Sequence, residues 1–169
     1  MATTLTSIVT AQIETTFRNL LDLSTPVDNL TKKVKIELAN GTGANSNDLC
    51  WHDQRTVSAS GTDAIDLAGS LAGPFGASQV FVELRAVMVF AAAANTNNVR
   101  VNRPASNGVP LFLAAGDGID VPPGGVFLWS CPADGKVTVT ASTGDLLNID
   151  NSSSGTSVTY DVVVLGVSA

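Results

Sequence analysis

The chain has 169 residues, with 9 Lys and Arg against 15 Asp and Glu and a formal net charge of −6. Its hydrophobic fraction of 44% excludes intrinsic disorder, which requires low hydrophobicity and high net charge. The acidic balance argues against a nucleic-acid partner, since no broad basic face is available to phosphates. The longest apolar run, Ala86–Ala94, is far shorter than the roughly 20 residues of a membrane helix. We therefore expect one domain with no membrane partner.

The N-terminus reads MATTLTSIVTAQIETTF, and its first positive side chain is Arg18. Because it lacks a basic segment before an apolar run, we do not expect a secretory signal. The two cysteines, Cys50 and Cys131, are too few for a small disulfide scaffold. We predict two reduced, mostly buried thiols in a protein made in the cytoplasm. Whether they pair stays open, because sequence separation does not give spatial distance.

Residues 1–30 are predicted to be an N-terminal arm outside a body formed by residues 31–169. Apolar residues in the arm are spaced roughly as on one helix face, which predicts extended chain with a short helix from about Thr10 to Leu21. Pro26 ends that segment. The arm is too short to hold its own core, so its apolar side chains must pack on the body or on another protein. The candidate partner-binding residues are Ile8, Ile13, Phe17, Leu20, Leu21 and Leu23.

From Lys33 onward the hydrophobic period changes to two, as expected of half-buried strands. Polar turns rich in Gly and Asn separate the apolar segments, and no long helix pattern lies between them. The pattern predicts an all-β, antiparallel β-sandwich of roughly eight to ten strands, jelly-roll-like or, as the alternative, immunoglobulin-like. The candidate segments for these strands lie at 33–38, 51–58, 65–67, 80–90, 99–101, 111–113, 119–121, 126–131, 137–139, 146–149 and 158–164.

Candidate catalytic and metal-binding residues are few. His52 is the one histidine, and Cys50 would share its face of a strand, so a thiol–imidazole pair is geometrically possible. No nucleophile motif accompanies the pair, and too few Cys and His residues are present for a zinc site. Asp117, Asp120 and Asp134 lie in Gly-rich segments that are more typical of β-turns than of calcium loops. We predict no enzymatic activity, cofactor or metal.

Two further groups of residues have alternative interpretations. Trp51 and Trp129 could stack on sugar rings, but we favour core or interface positions for both. Lys32, Lys33 and Lys35 form the one basic cluster. For Lys33 and Lys35 we favour a solvated edge that deters strand pairing over an acidic partner, and Lys32 stays open.

Several segments of the chain together resemble small structural proteins of tailed bacteriophages. The similarity covers about residues 40–169, with a looser match in the arm, and no catalytic motif is part of it. The segments are NGTGANSNDL (Asn40–Leu49), DQRTVSASGTDAIDLAGSL (Asp53–Leu71), NTNNVRV (Asn95–Val101), VPPGGVFLWSCPADG (Val121–Gly135) and TGDLLNIDNSSSGTSVTYDVVVLGVSA (Thr143–Ala169).

The resemblance implies a virion structural protein, most plausibly a capsid decoration or cement protein. Such a protein is synthesised in the host cytoplasm, lies on the capsid surface and binds the major capsid protein as a homo-oligomer, a dimer or a trimer. The last apolar strand, within 158–167, agrees with an oligomer, since it must be central in its sheet or covered by a partner. A tail or fibre component with a receptor-binding or carbohydrate-binding role is the alternative.

Overall fold

A computed structural model describes residues 4–69 and 71–169 of the chain. These residues form β-strands and no helix. The strands are β1 (Ser7–Arg18), β2 (Val27–Asn40), β3 (Ser46–Asn47), β4 (Leu49–Val57), β5 (Thr62–Asp66), β6 (Leu71–Ala72), β7 (Ser78–Gln79), β8 (Glu83–Ala91), β9 (Val99–Asn102), β10 (Gly118–Val121), β11 (Val126–Ser130), β12 (Leu146–Asn151) and β13 (Val158–Val167).

Two four-stranded antiparallel sheets form the body, which confirms the predicted all-β sandwich. Sheet I has the strand order β10-β9-β12-β5, and sheet II has the order β11-β8-β13-β4. Side chains alternate between the two sides of each strand, so every second residue points into the space between the sheets. Buried residues at these positions form the main core, among them Val99, Val101, Leu147 and Ile149 of sheet I and Val87, Val89, Val162 and Val164 of sheet II.

The last strand, β13, is central in sheet II, where it pairs with β4 on one side and β8 on the other. Its inner side chains are buried in the core, and Leu165 on its outer side is nearly buried as well. This position satisfies the expectation that a strand apolar on both faces is central in its sheet. A register irregularity at Leu165 and Gly166 bends the strand where it passes Glu83.

Residues 4–40 are largely extended, as predicted for the arm, but they form a paired hairpin in place of the predicted helix. β1 pairs with β2 along its whole length, from Ser7 opposite Leu38 to Arg18 opposite Val27. The helix predicted from Thr10 to Leu21 is therefore wrong, and the hairpin continues to residue 40, past the predicted boundary at residue 30. Thr, Ile and Val favour extended backbone, and β2 supplies partners that an isolated short helix would lack. We call residues 7–40 the N-terminal hairpin.

One buried cation, Arg85, holds the base of the N-terminal hairpin to sheet II. Its side chain is fully buried, and its guanidinium lies 2.7 Å from a carboxylate oxygen of Glu83 and 2.5 Å from one of Asp134. The guanidinium also donates hydrogen bonds to four backbone carbonyls, those of Thr42 and Gly43 in the loop after β2, Ser46 at the start of β3 and Ala133 in the loop after β11.

The loop held by Arg85 connects the hairpin to the body. It leads into β3, which pairs in parallel with the end of β2. The buried Asn47 of β3 donates a side-chain hydrogen bond of 3.0 Å to Ser7 Oγ, and the Ala39 amide donates one of 2.9 Å to the Asn45 carbonyl. Both strands of the hairpin are therefore tied to the body at one end only.

Arg85→Met is expected to lower the free energy of unfolding by about 3–5 kcal/mol, because it leaves Glu83 and the loop carbonyls without their donor. Chemical denaturation of the full chain measures this change. Arg100→Met is the matched control, since Arg100 is half-exposed and lies 3.9 Å from Asp120. It should cost at most about 1 kcal/mol. Equal losses at the two positions would contradict the role given to Arg85.

Gly166→Ala is expected to destabilise the protein by about 1–3 kcal/mol, because overpacking forces the backbone to shift. A Cβ at this position would lie 2.3 Å from the Glu83 carbonyl oxygen and 2.6 Å from the Phe81 ring. Gly43→Ala is the control, since a Cβ there meets nothing within 4 Å. The melting temperatures of the two variants are compared by thermal unfolding. Equal melting temperatures would show that the strand accommodates the added methyl group without strain.

Candidate interaction surface

The register of the N-terminal hairpin gives it two unlike faces. Residues that lie opposite each other in an antiparallel pair point to the same side of the hairpin, as does every second residue along each strand. The pairs Val9–Ile36 and Ala11–Val34 therefore lie on one side, together with every second residue towards the tip. The other side carries mainly polar residues, including Gln12 of β1. We call the first side the apolar hairpin face, formed by Val9, Ala11, Ile13, Phe17, Leu30, Val34, Ile36 and Leu38.

Only the base of the apolar hairpin face is covered. Leu38 packs against Ala86 and Leu165 on the outer side of sheet II, and Val9 and Ile36 join this contact. Further from the base the same face is open to solvent, and residues 13–32 are all exposed. A two-stranded hairpin is at best marginally stable in water. We therefore expect the exposed part of the hairpin, residues 13–32, to be stabilised by a partner surface.

The predicted partner-binding residues of β1 fall on different sides of the hairpin. Ile13 and Phe17 lie on the apolar hairpin face and are 66% and 73% exposed. Ile8 points to the opposite side near the base, although it also borders a groove between the hairpin and sheet II. The structure thus brings two of these three residues onto the same, mainly apolar, face.

The other predicted residues, Leu20, Leu21 and Leu23, lie in the loop of residues 19–26 that joins β1 to β2. We call this loop the tip. The Asn19 amide closes it with a hydrogen bond of 3.1 Å to the Pro26 carbonyl, and Leu23 is fully exposed. At about 3.3 Å per residue, the paired strands place the tip about 40 Å from the base of the hairpin. The tip is an apolar cluster at the end of a long projection.

Residues of β2 belong to this surface and were not among the candidates. Leu30 and Val34 extend the apolar hairpin face, and Lys32 lies among them opposite Ile13. They reach this face only because β2 pairs with β1. The prediction of a helix for β1 left that pairing out. The alternation of Val9, Ala11 and Ile13 with polar residues was the available signal. Lys33 and Lys35 lie on the polar side, as the solvated-edge interpretation predicts.

The outer side of sheet II is a second apolar surface. Leu128, Met88 and Val163 lie directly opposite one another on three neighbouring strands. Val126 and Phe90 start the next row, and Val126 is 60% exposed. A groove of about 350 Å³ separates this surface from the base of β1 and is lined by Ile8, Val9, Thr10, Ala86, Met88, Leu128, Val163 and Leu165.

The thiol and imidazole candidates lie beside that surface. Cys50 and His52 are on the outer side of β4, opposite Leu165 and Val163. Burial raises the pKa of the Cys50 thiol, which keeps it protonated and poorly nucleophilic at neutral pH. Cys50 and Cys131 are both free and partly buried. Within residues 4–69 and 71–169, no cluster of three or more His, Cys, Asp or Glu side chains is arranged to hold a metal ion.

Trp51 is buried in the core, with the Arg55 guanidinium 5.9 Å from its ring centre, and Trp129 packs against the same core. This confirms the core interpretation for both, and the faces of Trp51 are not open to a sugar. Arg55 also pairs with Asp63 at 2.7 Å. Asp63 accepts a hydrogen bond of 2.7 Å from the buried Tyr160, and burial together with this carboxylate raises the pKa of the phenol. The phenol therefore stays protonated and serves as a structural donor.

Comparison with known proteins gives no match, whether to a family model, to a curated protein or to a solved structure. In the described part of the chain, no helix is long and apolar enough to span a membrane.

Replacing residues 13–32 by Asn-Gly is expected to leave the body folded. Gln12 and Lys33 are opposite each other, so a two-residue turn can close the shortened hairpin. Because the deleted residues are exposed in the single chain, the free energy of unfolding should change by at most about 0.5 kcal/mol at protein concentrations low enough for both forms to be monomeric. Chemical denaturation measures it. A loss above about 2 kcal/mol would mean that the distal hairpin packs on its own body in solution.

Proposed function

We propose that this protein is a non-enzymatic bacteriophage virion protein that decorates the capsid and stabilises the head by binding the major capsid protein. The observation that carries the proposal is the N-terminal hairpin, which presents an exposed leucine cluster at its tip far from a rigid sandwich. A protein that binds only the assembled shell stabilises it by mass action. A long projection can reach across a seam between capsid subunits while the body stays on one of them.

The connectivity of the body supports this proposal. From β4 to β13 the chain passes repeatedly between the sheets, giving the order β4-β13-β8-β11 in one and β5-β12-β9-β10 in the other. We infer that this is a jelly roll, the double Greek-key arrangement found in many viral capsid domains. The resemblance of residues 40–169 to small phage structural proteins points to the same class.

Charge is divided between the hairpin and the body. Residues 1–40 carry four Lys or Arg and four Asp or Glu, so the remaining residues hold the whole net charge of −6. An acidic body remains soluble and avoids DNA released during assembly, whereas a neutral hairpin can approach a partner surface without net repulsion. The tip, which holds Leu20, Leu21 and Leu23, is the part proposed to contact the capsid.

Replacing all three tip leucines by Ser is expected to reduce occupancy on heads that lack the protein by at least about tenfold, since it removes the apolar anchors. Co-sedimentation of heads with added protein measures occupancy. The matched control replaces Gln12, Glu14 and Thr16 on the polar side by Ser, and it should bind normally. Full occupancy by the tip variant would show that the tip is not the capsid contact.

Immunogold labelling of purified virions tests the location independently of the tip. We expect label over the head. Label confined to the tail would contradict the capsid proposal and favour the tail or fibre alternative. Virions without label would contradict a role as a virion component.

A further inference from the structure

We propose that the apolar hairpin face of one copy docks on the outer side of sheet II of a second copy. The two surfaces already contact each other within one chain, where Leu38, Val9 and Ile36 pack against Ala86 and Leu165. The inferred contact between copies is of the same kind. The hairpin residues nearer the tip would pack against the neighbouring outer rows of sheet II in the other copy. It concerns the paired strands β1 and β2 of the hairpin, which we call the shaft, and does not depend on what the tip binds.

Both surfaces continue beyond the contact made within the chain. On the hairpin, Val34, Ile13 and Leu30 follow on the same side and are exposed. On sheet II, the row of Leu128, Met88 and Val163 comes next to the covered row of Ala86 and Leu165. The distal hairpin extends away from its own sheet, so its apolar residues do not cover these rows. A second copy carries the surface that matches them.

The charges on the two surfaces also favour a second copy of the chain as the partner. The apolar hairpin face carries one cation, Lys32, opposite Ile13 near the middle of the shaft, and one carboxylate, Asp28, opposite Phe17 near the tip. On sheet II, Glu83 already pairs with Arg85, whereas Asp161 lies on the outer side in the row of Val126 and Phe90. Asp161 accepts a side-chain hydrogen bond of 2.8 Å from Gln54 and forms no ion pair with a Lys or Arg among the described residues. An apolar contact between copies can therefore include one ion pair.

The arrangement can close in two ways. If two hairpins exchange reciprocally, the assembly is a closed dimer, and if each hairpin reaches the next copy in turn, the assembly is a ring. In both, every hairpin shaft is covered and every sheet II is covered. The tips remain free to contact another partner.

Charge reversal tests whether Lys32 and Asp161 meet between copies. Lys32→Asp and Asp161→Lys, each in the full chain, should raise the dissociation constant of the oligomer by at least about tenfold, as for truncation of a paired charge at an interface. Sedimentation equilibrium measures this. An equimolar mixture of the two variants should recover association, since each hairpin then finds an opposite charge on the other chain. Mixtures as weak as either variant alone would overturn the pairing.

The apolar part of the contact has its own test. Phe17→Thr with Leu30→Thr keeps strand-forming residues in place and should shift the protein to monomer. The matched control, Glu14→Thr with Asn29→Thr, changes neighbouring positions on the polar side and should leave the oligomer unchanged. A native chain that sediments as a monomer at its highest soluble concentration would overturn the proposal. Head binding by such a monomer would leave the capsid proposal standing.

Discussion

The buried guanidinium of Arg85 is the constraint on which the surrounding structure depends. Removing a charge from water costs several kcal/mol unless carboxylates and carbonyls replace the lost hydration. Glu83 and Asp134 provide the carboxylates, and two loops provide the carbonyls. The loop between β2 and β3 must therefore stay close to sheet II. That loop sets the direction in which the N-terminal hairpin leaves the body.

A hairpin fixed only at its base divides the molecule into parts with different roles. The sandwich buries its own core within the single chain. The hairpin leaves Ile13 and Phe17 exposed along its shaft and Leu23 exposed at its tip. The proposed functions follow this division, with the shaft against a second copy and the tip against the capsid. Both contacts would bury surface that the isolated chain leaves in water.

Much of the body was predictable from local pattern. Alternation of apolar and polar residues located β9, and apolar segments between turn-rich stretches located β4 and β12. The usual preference of tryptophan for core or interface positions held for Trp51. The predicted strand at 111–113 was wrong, since Leu111 and Phe112 pack against the core from a bend. The hairpin was missed because Ile13 and Phe17 also fit a helical spacing. The local pattern fits both the helical period and the strand period of two, and only the pairing of β2 with β1 decides between them.

The sequence by itself determined the β class, the turns between strands and the presence of an N-terminal segment that cannot bury its own apolar residues. Only the tertiary structure decided which strands became neighbours. Pairing between distant segments made β13 central and brought Leu30 and Val34 of β2 onto the same face as Ala11 of β1. The role of Arg85 also appeared only there, since its partners come from loops far apart in the chain. Such contacts depend on long-range pairing, which local periodicity does not encode.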